Sequence, residues 1–282
     1  KKLNKRAKYV SIMPNSGNSG NSDPERYKVI ISMVEIRNEK VYDVLNWTNS
    51  ENMNGLKIRE HPHYGPYAPS LSLFDVRDAN DALRLIRKAR KRDLKGHTIL
   101  QVILTQTKFN WSKKIAATDV VSRINLVDLG APERWETMKD QTREQVQAGT
   151  SINLTLATLG LVITKLSEQT KDGSSFSQSP RESIGSTNSS KRSSLSQTFV
   201  PYRDSAITWL LRESLGGNSF TMVLGCVIPN SSHAPQTLAT LRFASRAAMV
   251  TNRLKVNIFT NETILEELKR EVNHLKNIIA NF

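Results

Sequence analysis

Cysteine is almost missing from this chain. A single thiol, Cys226, among 282 residues excludes a disulfide framework and a cysteine-rich metal site, and it suits a reducing, intracellular setting. No run of about 18 apolar residues occurs, and the first residues are basic and polar with no apolar segment behind them, which argues against a membrane span or a secretion signal. Acidic residues are in deficit: 26 Asp and Glu stand against 40 Lys and Arg, and the resulting +14 draws the chain towards acidic surfaces. Zinc-type spacing, a helix-turn-helix pattern and aromatic-rich recognition motifs are all lacking, so a basic nucleic-acid binder has little to stand on. Also absent is a phosphate loop of the form G-x-x-x-x-G-K-[ST]. The tract around Gly17 and Gly20 carries no lysine and precedes a strand instead of following one, so it reads as a linker.

What is present suffices for one sizeable core, since single domains of roughly 200 to 250 residues are ordinary. The chain opens at Lys1 instead of Met, which predicts an upstream extension. Residues 1–26 are polar, with a Gly/Ser/Asn loop over 14–25. Apolar runs at 27–34, 99–104, 124–129 and 221–228 read as buried strands, the second and third of them neighbours. Apolar residues spaced at close to 3.6 predict a helix over 141–168, and shorter helices follow at 205–214 and 238–250. The Ser-dominated stretch 171–199 has too little apolar content to fold and predicts a long loop. Alternation of strands and helices implies an α/β fold with a mixed central sheet flanked by helices on both faces. At the end, Leu265, Leu268, Val272, Leu275 and Ile279 follow three- and four-residue steps, the seam of a short coiled-coil helix over 261–282 or of a terminal helix packed on its own domain.

An aspartate at the end of a buried strand is well placed to hold a magnesium-bound water, and Asp128 stands there in DLGAPER, with Glu133 able to orient a charged partner; a capped turn is the plainer explanation of that motif taken alone. The densest basic run is Arg84, Arg87, Lys88, Arg90, Lys91, Arg92 and Lys95, more often a solvated helix face than a ligand site.

Six blocks occur in a recognisable order: VEIRNEKVYDVL (34–45), REHPHYGPY (59–67), INLVDLGAPER (124–134), SINLTLATLG (151–160), VPYRDSAITWLLRESLGGNS (200–219) and TLATLRFASRA (237–247). Together they resemble a kinesin motor domain over residues 27–257, most similar to the third kinesin subfamily. The resemblance implies a P-loop NTPase fold, here lacking its first strand and phosphate loop. It further implies ATP and magnesium as cofactors, microtubules as partner, ATP-driven movement as activity and the microtubule cytoskeleton of the cytoplasm as location. The final helix would be the neck, through which a homodimer or heterodimer could form.

The resemblance also assigns roles. Asp128 falls on the magnesium-associated aspartate, Glu133 on the second-switch glutamate, and Lys95 in the place of the arginine that pairs with it. Gly130, Ala131 and His97 fall on the nucleotide-sensing positions. His61, His63, Tyr64, Asn153, Tyr202 and Arg203 fall on the filament side. The chain departs from the family in both switches: the first shrinks to Asp93, Leu94, Lys95, Gly96 and His97 without serines, and the second has Gly130, Ala131 and Pro132 where the family has Ala-Gly-Ser. Proline fixes φ and removes a donor. On the filament side Leu154 and Ala206 replace two lysines. An inactive pseudo-motor that binds microtubules or a partner kinesin is therefore the second reading, and a nucleic-acid binder the third.

Overall fold

A computed structural model describes residues 25–46, 54–61, 65–110, 115–130, 143–171 and 199–259, with Lys269, Val272, Asn273 and Lys276 beyond them. The chain divides into two compact units, one of Lys1–Lys57, Ser70–Gly130 and Lys255–Phe282, the other of Ile58–Pro69 and Ala131–Leu254.

The first unit is built on a long antiparallel sheet. β1 (Glu25–Arg37) turns back into β2 (Lys40–Asp43) through Asn38 and Glu39, both at positive φ, as a two-residue hairpin demands. β1 also pairs along most of its length with β6 (His97–Asn110), which pairs in turn with β7 (Ile115–Asp128). The expected strands at 27–34, 99–104 and 124–129 are here, but the third ends at Asp128 and is not buried: Ile124, Leu126, Val127 and Leu129 are exposed. Hydrogen-bonded pairing carries a strand past the apolar residues that nucleate it. The sheet order is β2-β1-β6-β7-β8, with β8 at Ile258–Phe259 and β5 (Phe74–Val76) beside β1. The expected central sheet with helices is present, and every pairing among its described strands is antiparallel.

Helix α1 (Ala79–Arg90) covers one sheet face. Asp78 caps it by accepting the Asp81 N–H at 2.8 Å, and three cations in its last turn oppose the helix dipole. Its apolar side, with Ala82, Leu85 and the fully buried Ala89, lies on Ile31 and Met33 of β1 and on Leu100 and Val102 of β6. These strand residues are direct cross-strand pairs and so share a face. The basic run follows its plainer reading: Arg84, Arg87, Lys88, Arg90 and Lys91 are exposed.

The second unit is mainly helical. α2 (Arg143–Lys171) is long and apolar enough over Gly149–Gln169 to cross a membrane by length and composition, but Ile152, Leu159, Val162, Ile163 and Leu166 are buried on one stripe, the pattern of a core helix. It packs on α3 (Ala206–Leu210) and α4 (Ala234–Ala247). Ile207 in the first turn of α3 is fully buried, which stabilises by about 1.5–3 kcal/mol. The helix expected at 205–214 is therefore α3 followed by a 3-10 turn, Arg212–Ser214.

One expected element is corrected. Residues 221–228 are no strand: they have no ladder partners among the described residues and are exposed throughout, Met222 and Leu224 included. A buried strand needs neighbours on both edges to satisfy its backbone, and the only described sheet in this unit is the two-stranded β3 (Arg59–His61) and β4 (Gly65–Tyr67). An apolar run states a need for burial, not a partner. The tract 14–25 lies outside the described residues except for Glu25, which belongs to β1, and the Ser-rich loop lies outside them except for Lys171 and Phe199; of the terminal seam only Val272 is described, helical and exposed.

Candidate functional site

In the first unit the switch-like residues converge on one end of the β6–β7 hairpin. His97 opens β6 and is buried; Asp128 closes β7, exposed, opposite Thr98. His97 Nδ1 accepts the Gly130 N–H at 3.0 Å, so its ring proton sits on Nε2, a buried donor with no partner. Burial holds this imidazole below the ordinary histidine range, Glu39 acting weakly the other way.

The link from α1 to β6 is only six residues, 91–96, and it is held tightly. The buried Glu35 carboxylate accepts the N–H of Lys95 at 2.7 Å and of Gly96 at 2.9 Å through one oxygen. Gly96 is dictated by sterics: a Cβ there would lie 2.1 Å from the Ile36 carbonyl oxygen. Lys95 pairs with Asp93 at 3.5 Å, both of them well exposed. Glu133, its expected partner, lies outside the described residues, as do Ala131 and Pro132.

These residues meet the cofactors' chemistry in part. One carboxylate at a strand end suits magnesium, which takes few protein ligands when phosphates supply the rest. The Gly130 amide, expected to face a phosphate, is engaged by His97. Among the described residues no group of three or more His, Cys, Asp or Glu could hold a metal on its own.

In the second unit Arg203, expected on the filament side, meets Arg212 at Glu60. This residue sits on β3 beside His61, whose ring meets Tyr67 edge-on at 6.1 Å. Its Oε2 accepts from Arg203 Nη2 at 2.5 Å, and its Oε1 accepts from Arg212. Burial alone would raise the Glu60 carboxyl, yet the Arg203 and Arg212 guanidinium groups bring it below the ordinary carboxylate value. The Arg203 guanidinium also stands over the Trp209 ring at 5.3 Å. Neighbouring Tyr202 donates to the Leu215 carbonyl at 2.6 Å, and burial pushes its phenol up to about 12, Arg212 opposing and Glu213 reinforcing.

The fold thus joins Arg203 to the strand that holds His61, through Glu60, while Tyr202 is held by Leu215. Asn153 is exposed on α2, while His63 and Tyr64 lie outside the described residues. Sequence reasoning missed Glu60, Arg212 and Glu35. Each stands inside a quoted block, but only Glu35, a lone charge between Val34 and Ile36, carried a local signal.

The loop behind this corner is fixed by Asn252, which accepts the Gly216 N–H at 2.7 Å and donates to the Ser219 carbonyl at 2.6 Å. Gly216 has φ +82°, and a Cβ there would lie 2.9 Å from Leu166 Cδ2.

The family model of the kinesin motor domain matches residues 10–250. The chain is 35% identical to human kinesin-like protein KIF14 over 264 residues, 89% of this chain and 15% of that protein. It is 36% identical to rat kinesin-like protein KIF1A over 274 residues, 93% of this chain and 15% of that protein. Among solved structures, a KIF14 dimer with AMP-PNP in complex with a microtubule matches with a TM-score of 0.69 at 34% identity, covering 86% of this chain and 64% of that one. The chain therefore spans a small part of the full-length relatives and about two thirds of the solved one.

Proposed function

This chain belongs to the kinesin motor domain family, and from that premise we propose that it binds microtubules and serves ATP-driven movement along them, in the cytoplasmic cytoskeleton. The observation that carries the reading is the junction on Glu60, which ties Arg203 and Arg212 to the strand that also holds His61; His61 and Arg203 are positions that the family turns to the filament. The net charge of +14 complements an acidic filament and would speed encounter. Similarity to a solved motor in complex with a microtubule supports the same partner.

ATP and magnesium are the cofactors of this reading. Asp128 is the carboxylate that would hold magnesium through water, and Lys95 would orient Glu133; bound ATP would supply the free energy of phosphoryl transfer. His97 and Gly130 hold each other at the strand end, fixing the path of the chain as it leaves β7. The comparisons give a motor without turnover no support over this reading. Through the apolar seam from Leu265 to Ile279 the chain would dimerise, and the mass of that segment at several concentrations checks this.

Co-sedimentation with polymerised tubulin is the direct test, with ADP and with a non-hydrolysable ATP analogue at several salt concentrations. Binding that weakens as salt rises, and that differs between the two nucleotides, is the expected result. A chain left in the supernatant at low salt overturns the proposal.

A further inference from the structure

An acidic residue is out of place on a surface meant for an acidic partner. Glu60 opposes the attraction that the surrounding cations provide, yet it sits one residue before His61 and takes hydrogen bonds from two arginines 143 and 152 positions away. Those arginines lie on separate short 3-10 turns, Tyr202–Asp204 and Arg212–Ser214. Two guanidinium groups drawn to one carboxylate would repel each other without it. The other strand of the hairpin rests on the same ground: a Cβ at Gly65 would lie 3.2 Å from Glu213 Cγ, and Gly65 itself has φ +69°. Both strands of the β3–β4 hairpin are therefore seated on the segment that follows α3.

We propose that Glu60 is a positioning residue for filament binding: by clamping Arg203 and Arg212 it sets the β3–β4 hairpin against the Tyr202–Arg203 corner, so that the two present one surface. The idea rests on the microtubule reading above. It reverses a simple expectation, because an unclamped surface has lost a negative charge and should attract an acidic filament more strongly. Arg203, engaged by Glu60 and Trp209, then acts mainly through the geometry it imposes.

The experiment compares the full chain with its Glu60→Gln, Glu60→Asp and Arg212→Gln variants by co-sedimentation with polymerised tubulin, alongside thermal melting and hydrogen exchange. Glutamine keeps the size but loses the charge; aspartate keeps the charge but is one methylene too short to reach both arginines. Each variant is expected to bind about three- to tenfold more weakly, the scale of a partly exposed ion-pair cluster. Exchange should quicken in residues 59–67 while α2 stays protected, which a general loss of stability would not produce. Binding by Glu60→Gln as tight as the parent's or tighter overturns the proposal and makes the carboxylate a mere repulsive charge. If Glu60→Gln fails to fold, Glu60→Asp decides: undiminished binding or exchange spread evenly over the second unit also overturns it. A parent chain that ignores microtubules overturns the functional reading instead.

Discussion

Two carboxylates, Glu35 and Glu60, each hold two donors, and they do so in opposite ways. Glu35 is buried and takes backbone N–H groups, so it fixes the course of the main chain between α1 and β6. Glu60 keeps 30% of its side chain exposed and takes guanidinium groups from distant turns, so it fixes how pre-formed pieces meet. A buried anion on backbone donors responds little to salt, whereas a half-exposed ion cluster is screened. The α1–β6 link is thus fixed by its backbone, the Glu60 junction by adjustable charge.

The largest break in that contrast should come from Gly96→Ala. The added methyl has no room against Ile36, and we expect a loss of more than about 3 kcal/mol in chemical denaturation, or no folded product. Glu35→Ala comes next: two N–H groups lose their acceptor, at about 1–3 kcal/mol for each one left buried. Wild-type unfolding free energies for either variant would show that the link is not held as described.

Acidity separates the two regions more finely. His97 has a depressed folded value, so its contribution is fully present above the ordinary 6.5 and is lost as pH falls through that depressed value. Glu60 is depressed from 4.5, so its contribution persists to below that point. Hydrogen exchange along an acid series should therefore loosen the His97 end of the first unit before the Glu60 junction, and the reverse order would break the comparison. At the alkaline end Tyr202 is raised, so its contribution is complete below 10 and is lost as pH rises through about 12. The smallest effect expected is a gain. Gly160 lies inside α2 with open space around it, and Gly160→Ala should stabilise by about 0.5–1 kcal/mol, read from the thermal midpoint.

Much of this was legible before any coordinates. Period and run length gave β1, β6, β7, α2 and α4, because burial of one face leaves its mark on residue order. The block at 200–219 placed Tyr202 and Arg203. Illegible were contacts whose partners lie far apart: Glu35 reaches 60 positions to Lys95, and Glu60 reaches 152 to Arg212. A carboxylate carries no local sign of which donor it will meet. Residues 221–228 failed for a related reason, since an apolar run looks the same whether or not a sheet stands ready to receive it.

That segment has a practical side. Its Cys226 is the only thiol in the chain, and it is exposed. A maleimide dye would therefore attach at one known position of the second unit without any prior mutagenesis. Fluorescence polarisation of such a label would follow filament attachment and release directly, in the protein as it stands.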